Sequence, residues 1–169
     1  MYRFPAIAFL FLFACSPALQ AGGKKPPPLK ISFHLQGAQN DGKNRVISQQ
    51  IAGEELFFSK SAVVTQKDII SFRSFPADDK ADFGAIFLLK PVAVRRLHSI
   101  CNQHPGKYLL AMVNGQVRDA VLIDRPNNDP YIVIWQRISA QEIRLIHYTM
   151  PQTGEDPKDW KKNRKKLKN

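Results

Sequence analysis

The stretch Tyr108-Leu109-Leu110-Ala111-Met112-Val113-Asn114-Gly115-Gln116-Val117-Arg118-Asp119-Ala120-Val121-Leu122-Ile123 decides the fold class. Two apolar runs of strand length flank Asn114-Gly115, a dipeptide that adopts the positive φ values of a tight hairpin turn at little cost. The pattern predicts a strand over Tyr108–Val113 and an antiparallel return over Gln116–Ile123. Working outward, Phe83–Leu89 is another apolar run of strand length. Pro91 follows where a helix can start without losing a backbone bond. Val92, Ala93, Leu97, Ile100 and Cys101 recur at helical spacing, and Pro105-Gly106 ends the pattern. Beyond the hairpin, residues 126–130 form a Pro- and Asn-rich turn and Tyr131–Trp135 a strand. Ser139 and Glu142 have the spacing of a capping box, with Ile138 and Ile143 as its hydrophobic staple, so a second helix is predicted to about Tyr148.

Upstream the signal is weaker. Lys30–Leu35 alternates polar and apolar like a half-buried strand, and Arg45–Ile51 and Glu55–Ser59 are short strand candidates. In Val63–Phe75, a helical turn at Thr65 and Asp68 and a strand through Ile69, Ile70, Phe72 and Phe75 both remain open. The order strand–helix–hairpin–strand–helix predicts an α+β fold. Its expected form is one antiparallel sheet, with Phe83–Leu89 beside the hairpin and two helices packed on one face, preceded by short strands and flanked by flexible ends.

The charge is uneven. The 169 residues carry a formal net charge of +11, yet residues 31–150 hold 14 Lys/Arg against 11 Asp/Glu. Residues 151–169 hold seven bases against three acids. A basic fold of the nucleic-acid-binding kind is thus disfavoured. Residues 1–21 show the basic, apolar and small-residue regions of a secretory signal peptide: Arg3, the run Ala6–Ala14, and an ending at Ala21. Export is therefore expected, to a periplasmic or extracellular location, with cleavage after Ala21. Lipidation of Cys15, in Leu12-Phe13-Ala14-Cys15, is the less favoured route. Residues 22–30 read as a Pro/Lys linker, 31–150 as a single domain and 151–169 as a basic, disordered tail. Cys101 is left as the one thiol of the mature domain, a small buried hydrophobe in its helix.

The segment 83–148 resembles the first periplasmic head domain of SecD, the accessory subunit of the bacterial preprotein translocase. Gly106 before a strand, the Ala111-Met112-Val113 core, the Asn114-Gly115 turn and a helix opening Ser139-Ala140-Gln141-Glu142 carry the similarity. The return strand has Ala120-Val121 where the family has Ala-Pro. The resemblance implies a shared fold and a polypeptide-binding surface.

No catalytic motif is present: no G-x-S-x-G elbow, P-loop, H-E-x-x-H or C-x-x-C. His34, His98, His104 and His147 are scattered, and Asp78, Asp79 and Asp82 lack the spacing of a calcium loop. No cofactor is called for. The leading reading is a non-enzymatic envelope module that binds extended polypeptide or another envelope component. It would use an open sheet edge or the face around Arg118 and Arg125. The alternatives are a small exported enzyme with an unrecognised site, and a tether. The tether would grip an anionic membrane surface or polymer through Lys161, Lys162, Lys165 and Lys166, at about 1 kcal/mol per base.

Overall fold

Phe33 and Phe87 meet edge to face, ring centroids 6.4 Å apart at 73°, and both are fully buried. They come from different sheets. The computed structural model describes residues 28–42, 44–78, 81–124 and 129–164. Eight strands form there: β1 Ile31–Gln36, β2 Val46–Ile51, β3 Glu54–Thr65, β4 Ile69–Pro76, β5 Phe83–Leu89, β6 Tyr108–Val113, β7 Gln116–Leu122 and β8 Tyr131–Ile138. Three α-helices accompany them: α1 Pro91–Gln103, α2 Ala140–Thr149 and α3 Pro157–Asn163. One sheet has the order β2-β3-β1-β6-β7 and the other β4-β5-β8, with every pair antiparallel. The α+β class holds, while the single sheet is corrected.

The hairpin forms at Asn114-Gly115, whose φ values are 53° and 80°. It does not join Phe83–Leu89, however. Strand β6 pairs instead with β1, from Ile31↔Val113 to Leu35↔Leu109. Asn114 reinforces this register, since its backbone N–H donates to the Lys30 carbonyl (2.7 Å) and its side-chain carbonyl accepts from the Lys30 N–H (3.1 Å). Strand β5 lies between β4 and β8. Alternation marks a strand but is silent about its neighbour, and both β1 and β5 present the buried face that such pairing requires.

The ambiguous stretch 63–75 does both things at once. Strand β3 runs to Thr65, a single 3-10 turn spans Gln66–Asp68, and β4 starts at Ile69 in the other sheet. The Asp68 carboxylate accepts the Thr65 N–H and hydroxyl and pairs with Arg96 of α1 at 2.9 Å. Burial pushes this carboxyl up, but the bonds from Thr65 and the Arg96 guanidinium outweigh it and hold the pKa low. In β1, His34 is buried between Ser59 and Ser32, with ring nitrogens 2.8 Å from the Ser59 carbonyl and the Ser32 hydroxyl. Burial lowers its pKa against the raising effect of the Ser59 bond.

The helices also depart from the expected pair on one face. Helix α1 buries Ala93, Leu97 and Cys101 and touches β3, whereas α2 buries Ile146 and touches β4 of the other sheet. The expected flexible C-terminal end is folded as far as Arg164. Phe72 of β4 receives a parallel bridge from Gln152, with its N–H donating to Pro151 and its carbonyl accepting from Thr153. His147 pairs with Glu155 at 3.0 Å. Helix α3 is capped by Asp156 and buries Trp160, whose indole N–H donates to the His147 carbonyl at 2.7 Å. One buried aromatic with a satisfied donor anchors the segment despite its charge. Residues 1–27, which carry the expected signal peptide and Cys15, lie outside the described residues.

Candidate functional site

Strands β7 and β8 are each the last strand of their sheet, and they lie side by side without a backbone ladder between them. Each carries an irregularity next to the point where Asp119 of β7 bonds to Trp135 of β8. In β7 the register passes from Val117↔Met112 to Asp119↔Ala111, so Arg118 is an extra residue opposite β6. In β8 it passes from Ile134↔Ala85 to Ile138↔Phe83, and Arg137 takes a φ of 65°. Bulges of this kind re-aim side chains and interrupt pairing.

Gly84 makes the second bulge possible. A Cβ there would lie 2.3 Å from the Phe75 ring and 2.6 Å from the Trp135 carbonyl. Phe75 occupies that space and meets Trp135 edge to face, centroids 6.0 Å apart. Trp135 nevertheless stays 56% exposed.

The first bulge sends Arg118 and Asp119 in different directions. Arg118 Nη2 donates to Glu142 Oε1 in the first turn of α2 and to Gln116 Oε1, both at 2.6 Å. Its Nε is buried and has no partner among the described residues. Glu142 also accepts the Ser139 N–H, and Ser139 accepts the Glu142 N–H, which completes the expected capping box. Asp119 turns to the seam. Its Oδ1 accepts the Ala120 N–H of β7 and its Oδ2 the Trp135 N–H of β8, each at 2.8 Å.

This carboxylate divides the seam. On one side lies a polar recess of about 610 Å³ lined by Asn114, Gln116, Arg118, Arg137 and Glu142. On the other, β7 and β8 flank a cleft of about 570 Å³ whose lining side chains are mostly apolar, with Asp124 and Asp129 as its acidic members. Phe33, Leu97, Cys101 and Leu109 line its depth, and Leu122, Tyr131 and Trp135 stand exposed along it. Such a concavity suits an apolar group with directional polar contacts at its border.

Of the residues named from sequence, Arg118 is held in this ion pair. Lys161 and Lys162 are exposed in the last turn of α3. Trp160 attaches α3 to His147 near the end of α2, whereas Arg118 attaches to its first turn, so the structure does not gather these bases into one groove. Arg125, Lys165 and Lys166 lie outside the described residues. Asp119, Leu122, Tyr131 and Trp135 belong to the seam without forming part of any sequence motif. A signal was available: Tyr131, Val133 and Trp135 alternate with Ile132 and Ile134, making both faces of β8 apolar. A half-buried strand has no need of its second apolar face.

Among the described residues no cluster of three or more His, Cys, Asp or Glu side chains could hold a metal ion, and no helix is long and apolar enough to cross a membrane. No protein-family model matches the chain, and no curated protein matches it. Two solved structures are similar to it over 67% of its length. One is SecDF, a membrane component that enhances protein export, at 18% identity and a TM-score of 0.47, with 57% of that chain covered. The other is SecDF in its super-membrane-facing form, at 19% identity and a TM-score of 0.47, with 17% of that chain covered. The chain spans less than two thirds of the length of either of them.

Proposed function

We propose that this chain is a non-enzymatic binding module of the cell envelope that takes an extended polypeptide at the apolar end of the β7–β8 seam. The observation that carries the reading is the cleft itself. Leu122, Tyr131 and Trp135 are exposed along it, between two strand edges that share no ladder. An extended chain can place alternate side chains against such a surface and its backbone against an edge. Delivery outside the cytoplasm rests on the export signal of residues 1–21, and a fusion of residues 1–30 to a reporter active only there tests it.

The chain has two tryptophans, and Trp160 is buried, so a Trp160→Phe background leaves Trp135 as the fluorescent reporter. Adding a reduced, carboxymethylated polypeptide that stays unfolded in water should shift Trp135 emission to the blue and saturate. Leu122→Ser should weaken that response about tenfold, the order expected for losing one large apolar contact. Unchanged emission at saturating polypeptide overturns the reading.

An electrostatic second contact is part of the proposal. Lys161 and Lys162 face solvent while Trp160 is turned inward. Together with Lys165 and Lys166 they would engage an anionic membrane surface by charge alone. Sedimentation with anionic vesicles should then fall away in high salt, because exposed charges are screened over about 8 Å at physiological ionic strength.

A further inference from the structure

Ladder parity fixes which backbone groups look into the seam. Ile123 donates its N–H to the Lys107 carbonyl and accepts from the Gly106 N–H, so it faces the β6 side. Val121 and Asp119, two and four residues earlier, share that side, which turns the amides of Ala120 and Leu122 toward β8. On β8, the Pro130 carbonyl accepts the Leu89 N–H from β5. Residues 130, 132 and 134 therefore face β5, and the amides of Tyr131, Val133 and Trp135 face β7. At the narrow point of the seam the two outward amides, Ala120 and Trp135, are both occupied by the Asp119 carboxylate.

We infer that Asp119 is a latch on the polypeptide site: its carboxylate holds the two edge amides that the carbonyl groups of an added strand would otherwise accept from. The inference rests on the reading of the cleft as a polypeptide site, and it names the device that regulates entry. A carboxylate here serves three ends at once. It satisfies two edge donors while the site is empty, and it ties β7 to β8 where their ladders are broken by bulges. It also places a negative charge where a peptide carbonyl must come. Charged side chains at sheet edges protect them from unwanted pairing in this way. Strand addition requires Asp119 to rotate away, surrendering its two hydrogen bonds to the incoming backbone. The extra residue at Arg118 is what aims Asp119 into the seam, and the Arg118–Glu142 pair holds that bulge to α2.

The test uses the full mature chain and a short peptide of alternating threonine and valine capped by lysines. Asp119→Ala removes the competitor and should bind this peptide about tenfold more tightly than the wild type, as expected for donors no longer held by a side chain. Should Asp119→Ala fold poorly, NMR on the wild-type chain decides. Peptide binding should shift the Ala120 and Trp135 amide signals together with the Asp119 carboxyl carbon, reporting release of the latch. Peptide that shifts Trp135 emission but leaves the Asp119 carboxyl carbon in place overturns the latch while the cleft reading stands. Equal or weaker binding by folded Asp119→Ala overturns it as well. Absence of any response to the peptide or to the unfolded polypeptide removes the cleft reading itself.

Discussion

The two ends of the β7–β8 seam start from the same elements and finish differently. Both are opened by bulges, and both leave a recess of similar size. At the polar end the first turn of α2 arrives with a satisfied capping box, and Glu142 takes the guanidinium of Arg118. Their side chains are only 13% and 18% exposed. At the apolar end Leu122, Tyr131 and Trp135 remain at 45%, 41% and 56% exposure. The ordered polar contacts are therefore gathered at one end, and the exposed apolar side chains, where binding is proposed, at the other. The difference comes from what a helix N-terminus can offer. Its free N–H groups suit a carboxylate, and the carboxylate of Glu142 in that turn suits a guanidinium, but neither does anything for an indole or a leucine.

The strongest way to break this division is at Gly84, which supports the β8 bulge beneath both ends. Gly84→Val puts branched carbon where Phe75 and the Trp135 carbonyl already sit. It should lower unfolding stability by about 3 kcal/mol, the upper range for overpacking. Urea midpoints measure this, and an unmoved midpoint would show that the close approach at Gly84 is not needed. Next comes Glu142→Ala, which strips Arg118 of its partner in a mostly buried setting and halves the capping box. A loss of about 2 kcal/mol is expected, smaller than for a fully buried pair because both groups keep some solvent. Polypeptide binding at the other end should survive. Loss of binding in a folded Glu142→Ala protein would mean that the two ends are not separable.

A pH control sharpens the contrast, because His34 is acid-sensitive and lies away from the seam. Burial keeps the His34 pKa below its ordinary 6.5 in the folded chain. The unfolded chain takes up the proton first, so stability is full above about 6.5 and declines as pH falls through the window beneath it. His34→Gln should flatten that decline. Glu142→Ala should lower the whole curve without changing its slope there, since His34 sits between β1 and β3. A changed slope in the Glu142 variant would tie the polar end to His34 after all.

How much of this was legible depended on whether the deciding interaction was local. Asn114-Gly115, Pro91 and the Ser139–Glu142 box each act within four residues, and each element formed where these signals stood. The partner of the hairpin was not legible, because β1 and β5 have similar buried faces and only long-range packing selects between them. The tail misled for a related reason. Its composition is dominated by lysine, whereas its folding depends on Trp160 reaching His147 and on Asp156-Pro157 starting α3. That cap was readable beneath the charge. Of the site, Arg118 was noticed for its charge, but its commitment to Glu142 is a contact across 24 residues. Asp119 could not be read at all, since its role depends on a one-residue bulge that changes where the side chain is aimed.

The smallest expected effect on stability is the one that bears most on function. Trp135→Ala removes an exposed indole whose main partner is the Phe75 ring at 6.0 Å. Its backbone N–H, and hence the bond to Asp119, stays in place. The loss should be about 1–2 kcal/mol, the aromatic pair together with the part of the indole that is buried. Binding of the unfolded polypeptide, followed by isothermal calorimetry because the reporter is gone, should nonetheless fall by at least about tenfold, as for an aromatic anchor at a binding surface. Glu142→Ala and Trp135→Ala then form opposite cases, one costing more stability and sparing binding, the other costing less stability and weakening binding. If Trp135→Ala instead unfolds the chain as readily as Glu142→Ala does, the exposed indole belongs to the fold. The apolar end would then be a packing defect and not a site.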